Sequence, residues 1–260
     1  TKHAGFYFAP SKGGGLWEWD LLPRKMNFCA VVSRYPEAYH DESGAGNITW
    51  SEKAGHFKSD FKKHVFYDWH RRMNLLDHFF HPETRLEDFK KASYGEQGDF
   101  VLGEYSAATA RGPQGLTVSL ARDGAVWTGD KRAGIRVEKN VLLGTDGSWE
   151  AVYRVTNSGP EKTGSLWFAP ELLFSFSSPA VCPEGERRDV SALKFEDPVW
   201  GAVELSFSEP VLLWAFNLDT VSRSEEGIEK TYQGSVLAPG IKKVLEPGGA
   251  FEFTVKARPA

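Results

Sequence analysis

Apolar and polar residues alternate along most of the chain after residue 98, and this pattern predicts β-strands. Residues 202–207 (AVELSF) and 251–256 (FEFTVK) place every second side chain on one face, as in a half-buried strand. Residues 211–216 (VLLWAF) are continuously apolar, which predicts a strand covered on both faces. Similar short runs lie at residues 116–121, 124–128, 135–138 and 150–156. Many short strands of this kind predict an all-β sandwich or barrel.

Turn-forming residues separate these predicted strands. Asp123-Gly124 and Asp146-Gly147 are typical of tight hairpin turns, because glycine adopts the positive φ that such turns need. Two further turns are predicted at residues 157–160 (NSGP) and 246–249 (EPGG).

The first hundred residues are less regular. Strands are predicted at residues 6–9 and 16–19, on either side of the glycine run 13–15. Short helices are predicted at residues 27–34, ended by Tyr35-Pro36, and within residues 51–64. The chain shows no internal repeat and no linker, so residues 1–260 are expected to form a single domain.

The composition supports a β-sheet protein and argues against two classes of partner. Aromatic residues make up 13% of the chain, with eighteen Phe and nine Trp against two Met, and large rings suit pleated surfaces. The net charge is −4 with both signs interspersed, so no nucleic-acid partner is expected. No apolar stretch is long enough to span a bilayer, so no membrane partner is expected. Two cysteines, Cys29 and Cys182, are too few for a disulfide framework and favour a reducing, cytoplasmic location.

Common catalytic motifs are absent from the sequence. It contains no Gly-x-Ser-x-Gly, no Walker A, no His-Glu-x-x-His and no Cys-x-x-Cys, so no cofactor and no metal are expected. Four histidines do fall within eighteen residues, at His64, His70, His78 and His81. Their spacing matches no familiar ligand pattern, which favours hydrogen-bonded structural histidines over a metal site.

Acidic and aromatic residues meet in Trp17-Glu18-Trp19-Asp20. In a regular strand, Trp17 and Trp19 share one face while Glu18 and Asp20 share the other. Sugar rings stack on flat aromatic side chains, and sugar hydroxyls donate hydrogen bonds to carboxylates. This segment is therefore a candidate carbohydrate surface. The alternative is a core strand with both indoles buried. Catalytic glycosidase carboxylates cannot be paired from sequence, because the distance between them decides the pairing.

Several ordered blocks of sequence resemble one enzyme family. They are GGLWEWD at residues 14–20, RYPEAYH at 34–40, DWHRR at 68–72, PELLF at 170–174 and TVSRSEEGIEKTYQGS at 220–235. They resemble the C-terminal β-sandwich of family 57 glycoside hydrolases of the 4-α-glucanotransferase and α-amylase type.

The resemblance implies a large β-sandwich of the galactose-mutarotase-like supersandwich type, with short helices near the N-terminus. It also implies a catalytic barrel, missing here, that carries the nucleophile and acid/base, and the chain begins with Thr1 as an excised piece would. We therefore expect a non-catalytic accessory domain, inactive alone, whose partners are its own barrel and an α-glucan or maltooligosaccharide. Calcium binding stays open. The candidate sugar contacts are Trp17, Glu18, Trp19, Asp20, Tyr39 and His40.

Three alternative functions remain. An independent carbohydrate-binding module would bind glucan without the barrel. An aldose epimerase would share the implied fold, although fold alone does not establish function. A purely structural partner of the barrel would expose a large apolar patch.

Overall fold

The computed structural model describes residues 1–36, 64–113, 115–224 and 227–260. Within these residues the protein is almost entirely antiparallel β-structure. The strands are β1 (Ala4–Ala9), β2 (Gly15–Leu21), β3 (Met26–Asn27), β4 (Leu76–Phe80), β5 (Ser106–Gly112), β6 (Gly115–Thr128), β7 (Lys131–Leu143), β8 (Trp149–Asn157), β9 (Leu166–Phe174), β10 (Gly185–Asp197), β11 (Gly201–Ser224), β12 (Gly227–Lys243) and β13 (Ala250–Pro259). The helices are α1 (Leu86–Lys90) and two 3-10 turns, Leu22–Arg24 and Pro179–Val181. Within the described residues, no helix is both long and apolar enough to span a lipid bilayer.

The strands form a small sheet and a large one. The small sheet has the order β1-β2-β3, and the large sheet has the order β4-β9-β12-β11-β13-β8-β7-β6-β5. Strand β10 pairs with β11 outside this path. The first part of β11 pairs with β13 and its last part pairs with β12, so this long strand joins the two halves of the large sheet.

Two apolar cores lie on opposite faces of the central strands. Along β11, Leu213 and Ala215 enter the main core, whereas Trp214 and Phe216 enter a second core. Every residue of β9 is buried, and its side chains divide between the two cores in the same way. The prediction that residues 211–216 are covered on both faces is therefore confirmed. Helix α1 closes the second core with Phe89, which is fully buried.

Two sequence predictions were wrong about local structure. Residues 27–34 are not helical, because their backbone groups bond elsewhere: the Phe28 N–H donates to the Trp19 carbonyl at 2.8 Å, and the Ser175 N–H donates to the Phe28 carbonyl at 2.8 Å. The Asn27 side chain also accepts from the Cys29 N–H at 2.8 Å, a local bond that competes with a helix. The helix predicted within residues 51–64 lies, except for its last residue, outside the described residues.

The second wrong prediction is the turn at Asp123-Gly124, where β6 continues without a break alongside β7. A Cβ placed on Gly124 would lie 2.3 Å from the Asp99 Oδ1 atom. The glycine therefore permits a close approach of another segment rather than a turn. The turns at Asp146-Gly147 and at residues 246–249 are confirmed, since each separates two strands.

Candidate functional site

The segment of residues 67–72, which bends at Trp69 and His70, carries charged residues inward and aromatic residues outward. Asp68, His70 and Arg72 are buried, whereas Tyr67 and Trp69 are exposed by 39% and 41%. This is the reverse of the usual pattern, in which the apolar side chains of an alternating segment face the core. The inward side chains therefore need polar partners inside the protein.

Glu171 supplies the central partner. It lies on β9 with Trp167, Ala169 and Leu173 on the face of the second core, and it is fully buried. Its Oε2 atom accepts hydrogen bonds from the Arg72 guanidinium at 2.8 Å, from His70 Nε2 at 3.2 Å and from His78 Nε2 at 3.2 Å. His78 reaches it from β4, the neighbour of β9 in the sheet.

The network continues in both directions from Glu171. Arg72 also donates to Asp68 Oδ1 at 2.8 Å, and Arg34 donates to the two oxygens of Asp68 at 2.8 Å and 3.2 Å. On the other side, His78 Nδ1 donates to Glu96 Oε2 at 2.8 Å. We call these seven residues the ionic cluster: Arg34, Asp68, His70, Arg72, His78, Glu96 and Glu171.

Protonation of the cluster follows from its geometry. Both ring nitrogens of His78 face carboxylates, so both must donate and the ring is an imidazolium. Burial alone would lower the pKa of His78, but its hydrogen bonds to Glu171 and Glu96 outweigh burial and raise the pKa to about 9. Burial opposes ionisation of Glu171 as well, yet the Arg72 charge and the two histidines hold its pKa well below the usual range. The pKa of His70 is lowered, chiefly by burial.

With His70 neutral, the charges of the ionic cluster balance. Arg34, Arg72 and protonated His78 provide three positive charges, and Asp68, Glu96 and Glu171 provide three negative ones. Such neutrality is what a buried ionic group requires, because an unpaired charge in the interior is costly.

The histidines brought together by the fold are His70 and His78, with rings 5.3 Å apart. Together with Glu171 they offer three buried ligand atoms within 4.8 Å of one another, which resembles a metal site. However, the Oε2 atom of Glu171 already accepts from the Arg72 guanidinium, and the cluster is already neutral. A divalent ion there would be opposed by the arginine charge, so the donor set does not fit a metal.

A second buried ion pair lies on the main-core side of β4. Lys139 donates three hydrogen bonds, to Asp77 Oδ2 at 2.9 Å, to the Gly13 carbonyl at 2.9 Å and to the Leu75 carbonyl at 2.6 Å. Tyr105 donates to the same Asp77 oxygen at 2.5 Å. The ammonium thus ties the glycine turn before β2 to the residue before β4, which is a structural role.

The structure separates Trp17 from Trp19, contrary to the expectation that they share a face. Tyr7 of β1 pairs with Glu18 and Phe8 pairs with Leu16, which leaves Trp17 unpaired in a β-bulge. Trp19 is fully buried, and its indole N–H donates to the Gly147 carbonyl at 2.8 Å. This indole belongs to the core and offers no surface to a sugar.

Three of the other candidates, Trp17, Glu18 and Asp20, are more accessible than Trp19. Trp17 is half-buried, and the Arg71 guanidinium lies 3.3 Å from the centroid of its ring. Glu18 and Asp20 are half-buried on the small sheet. Tyr39 and His40 lie outside the described residues.

The ionic cluster and the exposed Trp69 were not predicted from the sequence. One signal was available: Glu171 is the single charged residue in a nine-residue apolar run, Leu166–Phe174. A lone carboxylate in a strand that is covered on both faces needs buried cations, and the histidine and two arginines of residues 68–72 were candidates.

Comparisons with known proteins agree with this fold. A 4-alpha-glucanotransferase from Thermococcus litoralis is 31% identical over 262 residues, covering 96% of this chain and 37% of that protein. An alpha-amylase from Pyrococcus furiosus is 33% identical over 241 residues, covering 90% of this chain and 34% of that protein. The chain therefore spans about a third of the length of these curated relatives.

Solved structures extend the comparison. The crystal structure of 4-alpha-glucanotransferase from Thermococcus litoralis superposes with a TM-score of 0.81 at 26% identity, covering 100% of this chain and 37% of that one. A galactose mutarotase-like protein from Lactobacillus casei has a TM-score of 0.56 at 10% identity, which shows a shared sandwich fold and no more. The sequence profile of the family described as "Alpha-amylase/4-alpha-glucanotransferase, C-terminal" matches residues 1–254. The chain therefore belongs to the alpha-amylase/4-alpha-glucanotransferase C-terminal family.

Proposed function

We propose that the chain is the non-catalytic accessory β-sandwich of an α-glucan-processing enzyme. In this proposal the catalytic part lies elsewhere in a longer protein, and the sandwich shapes the substrate cleft and contacts sugar. The family match over residues 1–254 carries the proposal, together with the share of about a third that the chain covers in its relatives.

The geometry of the buried carboxylates supports a non-catalytic role. Glycoside cleavage needs two carboxyl groups that reach the scissile bond and exchange protons. Glu171, Asp68 and Asp77 are instead held in ion pairs with Arg72, Arg34 and Lys139 inside the protein. These carboxylates cannot reach a polysaccharide without breaking the packing above them.

The proposal is tested by incubating the purified 260-residue chain with maltoheptaose and separating the products by anion-exchange chromatography. We expect no release of glucose and no redistribution of chain lengths by this chain alone. Turnover that persists after repeated purification would refute the non-catalytic assignment.

One observation favours a second function, an independent carbohydrate-binding module. Trp69 is 41% exposed, and indole rings at a surface can stack on sugars. This function predicts that the chain retains glucan affinity without any catalytic part.

The epimerase alternative finds less support. The His and Glu side chains that the fold brings together, His70, His78 and Glu171, are all buried and paired. Polarimetry of glucose and galactose is expected to show the uncatalysed rate of mutarotation when the chain is added.

A further inference from the structure

Trp69 is held in place by the residues on either side of it. Asp68 and His70 point inward, where Asp68 binds two arginines and His70 binds Glu171. The Trp69 ring packs against the His70 ring, with centroids 4.4 Å apart, and against the Tyr94 ring at 5.9 Å. The backbone and the inner side of the indole are therefore fixed before any ligand arrives, which reduces the entropy cost of binding.

Trp17, which the sequence singled out together with Trp19, has a ring face that is already covered. The Arg71 guanidinium lies 3.3 Å from its ring centroid, and the Lys12 ammonium lies 5.7 Å from the same centroid. A sugar that stacked on this face of Trp17 would have to displace the arginine and its cation–π contact.

Arg71 is an exposed cation near Trp69 in the sequence, and its guanidinium lies over the Trp17 ring. It lies two residues after Trp69, and burial alternates from residue 67 to residue 72, so Arg71 and Trp69 are both on the exposed side of the segment. Its guanidinium carries five N–H donors, which suit the hydroxyl and ring oxygens of a sugar.

We propose that Trp69 and Arg71 form an α-glucan contact site, in which a glucose ring stacks on the Trp69 indole and Arg71 donates to its hydroxyls. The inference rests on the proposed function, because that function supplies the ligand class. A protein partner is the other outcome that the test distinguishes, because Trp and Arg are also enriched at protein–protein interfaces. Asp68 and His70, which are anchored in the ionic cluster, hold the Trp69 ring at the surface.

The molecule provides a matched control in Trp127 on β6. Trp127 is also 41% exposed, and the Arg132 guanidinium lies 5.7 Å from its ring centroid. Trp127 therefore has the same exposed fraction and a cationic neighbour, but the ionic cluster does not support it.

The test follows the indole N–H signals of the nine tryptophans by NMR while maltoheptaose is added to the 260-residue chain. Substitution Trp69→Phe assigns the Trp69 signal. Cellohexaose, a β-linked glucan, serves as the ligand control. We expect a saturable shift of the Trp69 signal with maltoheptaose and a dissociation constant that rises at least about tenfold in Trp69→Ala. Trp127→Ala should leave the dissociation constant unchanged, and Arg71→Ala should raise it by a smaller factor.

Three outcomes would overturn the inference. Glucan binding that survives Trp69→Ala places the sugar contact elsewhere and leaves the proposed function intact. If no indole signal shifts when maltoheptaose is added, this chain does not contain the proposed site. If Trp69→Ala instead weakens association with the separately expressed catalytic part, with sugar affinity unchanged, the surface is a protein contact. None of these depends on the turnover assay, which tests the proposed function separately.

Discussion

The protonated His78 makes a specific prediction about stability and pH. Its pKa is about 9 in the folded protein, against 6.5 for an ordinary histidine. Because the folded pKa is raised, the stabilisation is fully present below about pH 6.5 and is lost as the pH rises toward 9. The difference of about 2.5 in pKa corresponds to about 3–4 kcal/mol, at about 1.4 kcal/mol per pKa unit. His78 is fully buried, so solvent screening does not reduce this figure.

Urea denaturation of the wild type and of His78→Gln at several values between pH 6.5 and 9 measures this contribution. The wild type is expected to lose about 3–4 kcal/mol more unfolding free energy across the window than the variant, which lacks the titrating ring. His81→Gln is the control, since His81 lies three residues away at the end of β4 and outside the ionic cluster.

Equal pH dependence in the wild type and in His78→Gln would refute the reasoning. If the variant does not fold, the imidazole of His78 can be titrated in the wild type by NMR. A midpoint near 6.5 would then show that the two carboxylates do not hold a proton on this ring.

Other substitutions test the same structure. Glu171→Gln should lower the unfolding free energy by about 3–5 kcal/mol, because it removes the buried negative charge that Arg72 and protonated His78 share. Glu252→Gln, in the exposed pair with Arg154, should cost less than about 1 kcal/mol, and urea denaturation measures both. Below about pH 4.5 the depressed pKa of Glu171 predicts a further loss of stability as the pH falls, measurable by thermal melting and reduced in Glu171→Gln. Gly13→Ala should lower the melting temperature by several degrees, because its Cβ would lie 2.3 Å from the Val101 carbonyl oxygen and Gly13 has a φ of +68°. Gly112→Ala is the control: its Cβ would meet nothing within 4 Å, so the melting temperature should change little.

The strands were the most predictable part of the fold. Alternation at residues 202–207 and the continuous apolar run at 211–216 each identified part of β11. Alternation could not show that these runs belong to one 24-residue strand, because the polar residues between them look like a turn. Similarly, the bulge that turns Trp17 away from Trp19 depends on the pairing with β1, which no local pattern records.

The ionic cluster was harder to predict, because its members come from distant parts of the chain. His70 and Glu171 are separated by 101 residues, and Arg34 and Asp68 by 34. Within residues 67–72, hydrophobicity alone would place Trp69 inside and Asp68 outside. The reverse occurs because Glu171 on β9 provides a buried anion that Arg72 and the histidines neutralise.

The most direct test uses the catalytic part that the proposed function places elsewhere in a longer protein, expressed separately and assayed with and without this chain. Maltoheptaose disproportionation and hydrolysis are measured as the chain concentration rises. The account predicts no turnover by the chain alone and a saturable gain in activity or thermal stability of the catalytic part. Full activity of the catalytic part without the chain, with no association between the two, would contradict an accessory role.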